Sequence, residues 1–103
     1  MNTLQRQLFD LQDLKYREFH SKLMPGIAKE TIIGIRTPVL RNFVKEFRKT
    51  DEAKLFLAEL PHQYYEENNI HMMLIAQIRD YETCIAEVNR FLPSCPYKKF
   101  FHV

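Results

Sequence analysis

Arg36, Arg41, Lys45 and Arg48 are the residues of this sequence whose types and spacing point most directly to a chemical task. Thr37 followed by Pro38 is a helix-opening pair, because a threonine hydroxyl can accept an orphaned amide and proline at the first helical position has its φ already set. A helix from about Pro38 to Lys49 then places Val39, Leu40, Phe43, Val44 and Phe47 on one stripe. Arg41, Lys45 and Arg48 follow at i, i+4 and i+7 on a different face, with Arg36 just ahead of the helix. A helix N-terminus favours negative charge and arginine offers a fork for phosphate, so this ridge suits a polyanion. A solvated basic face is the other account of the same pattern.

Few templates for bond-breaking chemistry are present. The chain has no glycine-rich phosphate loop, no Gly-x-Ser-x-Gly elbow and no Cys-x-x-Cys spacing. Glu67 and His71 stand at i, i+4 and could share a metal, but no third ligand lies near them in sequence, so a helix-face pair is the plainer account and no metal or cofactor is expected. His20, His62 and His102 are scattered singly and read as surface or rim residues. Tyr64 and Tyr65 point about 100° apart on a helix. Either one packs while the other presents its ring to a groove, or both are boundary aromatics.

These residues need elements to hold them. A first helix opens at Thr3 with Leu4, Leu8, Phe9 and Leu11, and a second, capped by Asp13, runs to about Leu23 with Leu14, Tyr16, Phe19 and Leu23 as its apolar positions. Residues 25 to 36 read as a loop or a short helical turn with Ile27, Ile32, Ile33 and Ile35 tucked inward, since an isolated strand would have no partner. Thr50 or Asp51 caps a fourth helix carrying Leu55, Phe56, Leu57 and Leu60, which Pro61 stops. A fifth runs from about Gln63 to Arg79 and a sixth from Tyr81 to Leu92. The expected fold is all-α, a stack of five or six helices in antiparallel pairs, with residues 94 to 103 as a poorly specified tail.

The 103 residues allow at most one domain. With 46% hydrophobic and 27% charged residues, the composition excludes a disordered chain, and no apolar run is long enough to span a bilayer. No hydrophobic signal core opens the sequence, which points to a cytoplasmic protein. Cys84 and Cys95 read as free thiols. Net charge is +2, but residues 1 to 49 carry ten Lys or Arg against five Asp or Glu, and residues 50 to 92 carry three against eight. The basic half is therefore the face for nucleic acid, because phosphate neutralisation supplies most of the affinity for DNA.

Two stretches carry a family resemblance. Gly34-Ile35-Arg36-Thr37-Pro38-Val39-Leu40-Arg41, then Leu60-Pro61-His62-Gln63-Tyr64-Tyr65-Glu66-Glu67-Asn68-Asn69-Ile70-His71, followed by Phe91-Leu92-Pro93, resemble the DNA alkylation repair family of AlkD-like glycosylases. The resemblance covers about residues 3 to 93 and implies a HEAT-like stack of helical pairs whose concave basic face holds duplex DNA. On that basis Arg36, Thr37 and Arg41 are the expected DNA contacts, with Lys45 and Arg48 added by their place on the same ridge, while Tyr65, Glu66 and His71 match the second signature and either line the cleft or hold the helix pair together.

The family's catalytic aspartate and tryptophan lie in a segment that continues Phe-Leu-Pro as Asp-Asn-Trp. Here Ser94-Cys95-Pro96-Tyr97 follows and the chain contains no tryptophan. No catalytic residue is carried over, so the expectation is the N-terminal, DNA-binding part of such an enzyme, cut short by truncation, frameshift or boundary and unable to excise a base alone. Activity restored by a second chain that supplies the carboxylate is a further alternative. A small helical-repeat protein-interaction module without DNA chemistry is the reading from a different class. A solenoid cut short leaves an apolar face uncovered, so the last helix with Phe91, Phe100 and Phe101 is expected to be exposed and to support a homodimer.

Overall fold

A computed structural model describes residues 2 to 94. Within them the chain forms six α-helices: α1 (Thr3–Asp10), α2 (Leu14–Leu23), α3 (Thr37–Phe47), α4 (Asp51–Ala58), α5 (Tyr65–Ile75) and α6 (Tyr81–Phe91). Two short 3-10 turns, Lys29–Thr31 and Leu92–Ser94, complete the regular structure, and there is no strand among the described residues. The fold is all-α, as the sequence predicts. None of the helices is long and apolar enough to cross a membrane among the described residues.

Helix α5 is the element around which the others pack. Seven of its eleven residues are buried, and they include Glu66, Glu67, Asn68 and His71 as well as Ile70, Leu74 and Ile75. Ile70 and Leu74 belong to a larger core with Leu8, Ile33, Val44 and Phe56, whereas Ile75 joins a smaller one with Ile27, Ile32 and Phe91. A helix shared between two cores has almost no solvent face, so its polar side chains must find partners inside.

The isoleucine loop divides between the same two cores. Ile32 enters the smaller, while Ile33 and Ile35 enter the larger. The stretch is extended and buried without belonging to a sheet, so its backbone groups need partners from elsewhere. Side chains provide them. Gln12 Nε2 donates to Ile33 O at 2.8 Å, Arg17 Nε donates to Ile32 O at 2.7 Å, and Arg17 Nη2 donates to Lys29 O at 3.0 Å. Glu66 accepts from the amides of Ile33 at 2.9 Å and Gly34 at 3.0 Å. Gly34 has φ of +89°, and a Cβ there would lie 2.4 Å from Arg17 Cβ, so this turn needs glycine on both counts.

Several boundaries and faces differ from the sequence expectation. Asn2, not Thr3, caps α1, with Gln5 closing a reciprocal capping box. Arg36, not Thr37, is the N-cap of α3, because its carbonyl accepts the first helical bond from Leu40. The Thr37 hydroxyl therefore makes no cap. Thr50 is the N-cap residue of α4, as one of the two expected candidates, but through its carbonyl, which accepts from Ala53; its hydroxyl donates back to Phe47 O at 2.7 Å. Helix α3 ends at Phe47 rather than Lys49, and α5 spans Tyr65–Ile75 rather than 63 to 79.

Leu14, Phe19 and Leu23 are exposed, and α2 has no buried residue at all. Arg17 occupies its inner face because the loop requires donors there. Val39 and Leu55 are exposed as well. Phe91 is fully buried, contrary to expectation, but it is the one buried residue of α6; the rest of that helix is exposed or half-buried as expected, with Tyr81 and Ile85 its large exposed apolar residues. Cys84 is a free, half-buried thiol whose Sγ donates to Ile75 O at 3.6 Å. Cys95, Phe100, Phe101, His102 and the tail from residue 95 lie outside the described residues.

Candidate nucleic-acid interface

Helix α3 buries Leu40, Val44 and Phe47 against the larger core, with Phe43 stacked on Phe47 at 5.5 Å. That fixes the rotation of the helix. Arg41, Lys45 and Arg48 then share an arc of about 60° on one flank, and all three are exposed. Neither Arg41 nor Lys45 has an ion-pair or hydrogen-bond partner among the described residues, and Arg48 donates only to the neutral Gln77 Oε1, at 3.3 Å. The charge of this flank faces solvent uncompensated.

Arg36 sits differently. Its Nε lies 3.1 Å from Asp13 Oδ2, and its guanidinium carbon lies 5.1 Å from the centre of the Tyr16 ring. Arg36 is exposed but engaged by Asp13, unlike Arg41 and Lys45. The same contact acts on Asp13, whose carboxyl is held below the ordinary aspartate range first by the Tyr16 amide and then by Arg36. Lys29 pairs with Glu18 and Lys49 with Glu46. Arg17 is internal. The surplus positive charge of the first 49 residues therefore concentrates on fewer side chains than its composition suggests, the α3 flank prominent among them.

Helices α3 and α5 lie side by side and run in the same sense. Glu66 at the start of α5 reaches the residues just ahead of α3, and Gln77 just past the end of α5 meets Arg48 just past the end of α3. A hollow of about 310 Å³ opens between their first turns, lined by His20, Thr37, Leu40, Tyr65, Asn69 and Met72 among others. Thr37 is exposed at its rim and Tyr65 is half-buried, with the His20 ring 5.4 Å away. Tyr64 packs instead against Phe9, edge to face at 5.3 Å. The adjacent tyrosines thus serve different sides of α5, and both are boundary aromatics.

Of the other two residues expected to line a cleft, Glu66 lines this hollow, whereas His71 packs elsewhere in the interior. Glu66 is 1% exposed and both of its oxygens accept loop amides. His71 is 0% exposed and its Nδ1 lies 2.8 Å from His62 Nε2. The two imidazoles are sandwiched between phenylalanines: His62 stacks on Phe56 at 4.1 Å, and His71 stacks on Phe91 at 4.3 Å. Burial, together with the nearby Arg90 charge and, for His71, its partner ring, pushes both imidazoles down to about 4. His62 is therefore not the rim residue its isolation in sequence suggested.

Glu67 Oε1 accepts from Gln5 Nε2 at 3.2 Å and from the Tyr64 amide at 3.0 Å. No cluster of three or more potential metal ligands occurs among the described residues. The histidine pair had no sequence signal, because it requires the segment before α5 to fold back on the helix. The Glu66 clamp joins the two stretches quoted above for their family resemblance, 34 to 41 and 60 to 71, through the amide of Gly34. Comparison with family models, with curated proteins and with solved structures finds no match for this chain.

Proposed function

We propose that the chain is the DNA-facing part of a helical-repeat domain of the AlkD-like DNA alkylation repair kind, and that it holds duplex DNA through Arg41, Lys45 and Arg48 without excising a base. The observation that carries this reading is the α3 flank, where these three exposed cations have no carboxylate partner among the described residues. Side chains of this kind neutralise phosphates and release counterions, which is the main source of sequence-independent affinity. The parallel placement of α3 and α5 supports the HEAT-like part of the reading, since equivalent helices of successive repeats stack side by side in a solenoid. Thr37, and Arg36 once released from Asp13, would extend the contact toward the start of α3. Glu66 and Glu67 are committed to amides, and the proposed role is binding alone.

Fluorescence anisotropy with a labelled duplex across a salt series tests this. The wild-type chain is expected to bind at low salt and to weaken as salt rises, and Arg41→Ala with Lys45→Ala is expected to flatten the log–log slope by about 2. No binding at low ionic strength, or an unchanged slope in the double variant, overturns the reading. Release of an alkylated purine from methylated duplex by this chain would replace binding with catalysis.

A further inference from the structure

A second groove lies where α4 passes the far ends of α3 and α5. Two adjoining depressions of about 420 and about 440 Å³ share Lys54, Leu57 and Ile78. Leu57, Leu74 and Ile78 make an aliphatic floor, and Arg48, Lys49, Lys54 and Arg90 stand exposed around the rim. Lys49 and Arg90 are paired with Glu46 and Glu87. Arg48 and Lys54 have no carboxylate partner among the described residues. Arg90 also donates from Nη2 to Leu57 O, which ties α6 to the end of α4 and fixes the wall shared by the two depressions.

We propose that this groove docks an acidic amphipathic segment of a partner protein, with aliphatic side chains against Leu57 and Ile78 and carboxylates meeting Arg48 and Lys54. The combination of floor and rim selects the occupant. An aliphatic floor offers no ring on which a base could stack, and a phosphate backbone has nothing to bury there. A purely apolar segment would cover the neighbouring cations without compensating them. A basic segment, such as Tyr97-Lys98-Lys99 of this chain, meets like charge. A helix with one apolar face and glutamates beside it satisfies both features, with the charges steering the encounter and the side chains in the groove holding it. The inference does not depend on DNA binding: Lys54, Leu57 and Ile78 lie outside the α3 flank, and only Arg48 borders both surfaces.

The test uses the full chain and a labelled helical model peptide of leucine and glutamate, with a twin in which lysine replaces every glutamate. Fluorescence polarisation is expected to show the acidic peptide binding at least about tenfold more tightly than its twin, and weakening between about 50 and about 300 mM salt. Lys54→Glu, and separately Ala58→Glu in the groove wall, are expected to weaken that binding about tenfold with unchanged thermal melts, because both positions are exposed. Arg41→Ala with Lys45→Ala is expected to leave it within about twofold, which separates this groove from the DNA face. Equal binding of the two peptides, or no effect of either glutamate substitution, overturns the proposal. So does an equal loss of DNA and peptide affinity in Lys54→Glu, which would assign the groove to the nucleic-acid track.

Discussion

The interior around α5 and the flank of α3 put charged residues to opposite uses. In the first, Glu66, Glu67, His62 and His71 resemble the raw material of an active site, yet they hold backbone amides or each other. In the second, Arg41 and Lys45 resemble ordinary surface charge, yet they have no internal partner among the described residues. Burial commits the first group to holding the fold together, Glu66 doing so at the edge of the hollow between α3 and α5. Exposure does the reverse. A motif rich in Glu and His is therefore better evidence for this fold than for its chemistry, and the function has to be sought among residues that fold stability does not need.

Four perturbations would sharpen or break that contrast. The largest effect is expected from Glu66→Ala, which leaves the buried amides of Ile33 and Gly34 without an acceptor, at a cost of about 1–3 kcal/mol each. A thermal melt should show the variant largely unfolded or lower by more than about 10 °C; a near-native melt would remove Glu66 from its structural role. Gly34→Ala comes next, since positive φ and the Arg17 contact act together. We expect a loss of about 2–3 kcal/mol in denaturant titration, and a loss below about 0.5 kcal/mol would contradict the turn geometry.

Acid should act through the histidine pair. Free imidazoles take up protons near 6.5 and the folded pair only near about 4. Between those values the unfolded chain binds more protons, so stability is fully present above 6.5 and falls as the pH drops toward 4. Melts across this range should drop by about 5 °C or more, and the slope should flatten in a His62→Phe, His71→Leu double variant. The smallest effect is expected from Asp13→Asn, which keeps the cap to the Tyr16 amide but frees Arg36. DNA affinity should rise about two- to threefold with little change in the melt; a fall in affinity would show that Arg36 needs its partner to be positioned.

The helices themselves were legible. Leucine and phenylalanine spacing, the stop at Pro61 and the Asp13 cap all place helices where they occur, within a few residues at their ends. The inward isoleucines of the loop were legible too. Their means of support was not, because Glu66 lies 33 residues from Ile33 and nothing local marks it as an acceptor. Helix α2 misled because Tyr16, Phe19 and Leu23 share an arc of about 60°, yet that stripe does not enter the core: Arg17, about 120° or more away from Phe19 and Leu23, faces the body and bonds the loop carbonyls instead. For the candidate interface, the spacing of Arg41, Lys45 and Arg48 was legible, whereas the engagement of Arg36 depended on the placement of Asp13 and Tyr16.

The Glu66 clamp also sets an order of events during synthesis. Residues through the end of α3 leave the ribosome before Glu66 does, so the turn at Gly34 lacks its main acceptor until α5 emerges. Until then the isoleucines and the inner side of α3 have no completed core to enter. The nascent first half should therefore be a client for chaperones and proteases, and the interval before α5 arrives is when this polypeptide is most open to aggregation.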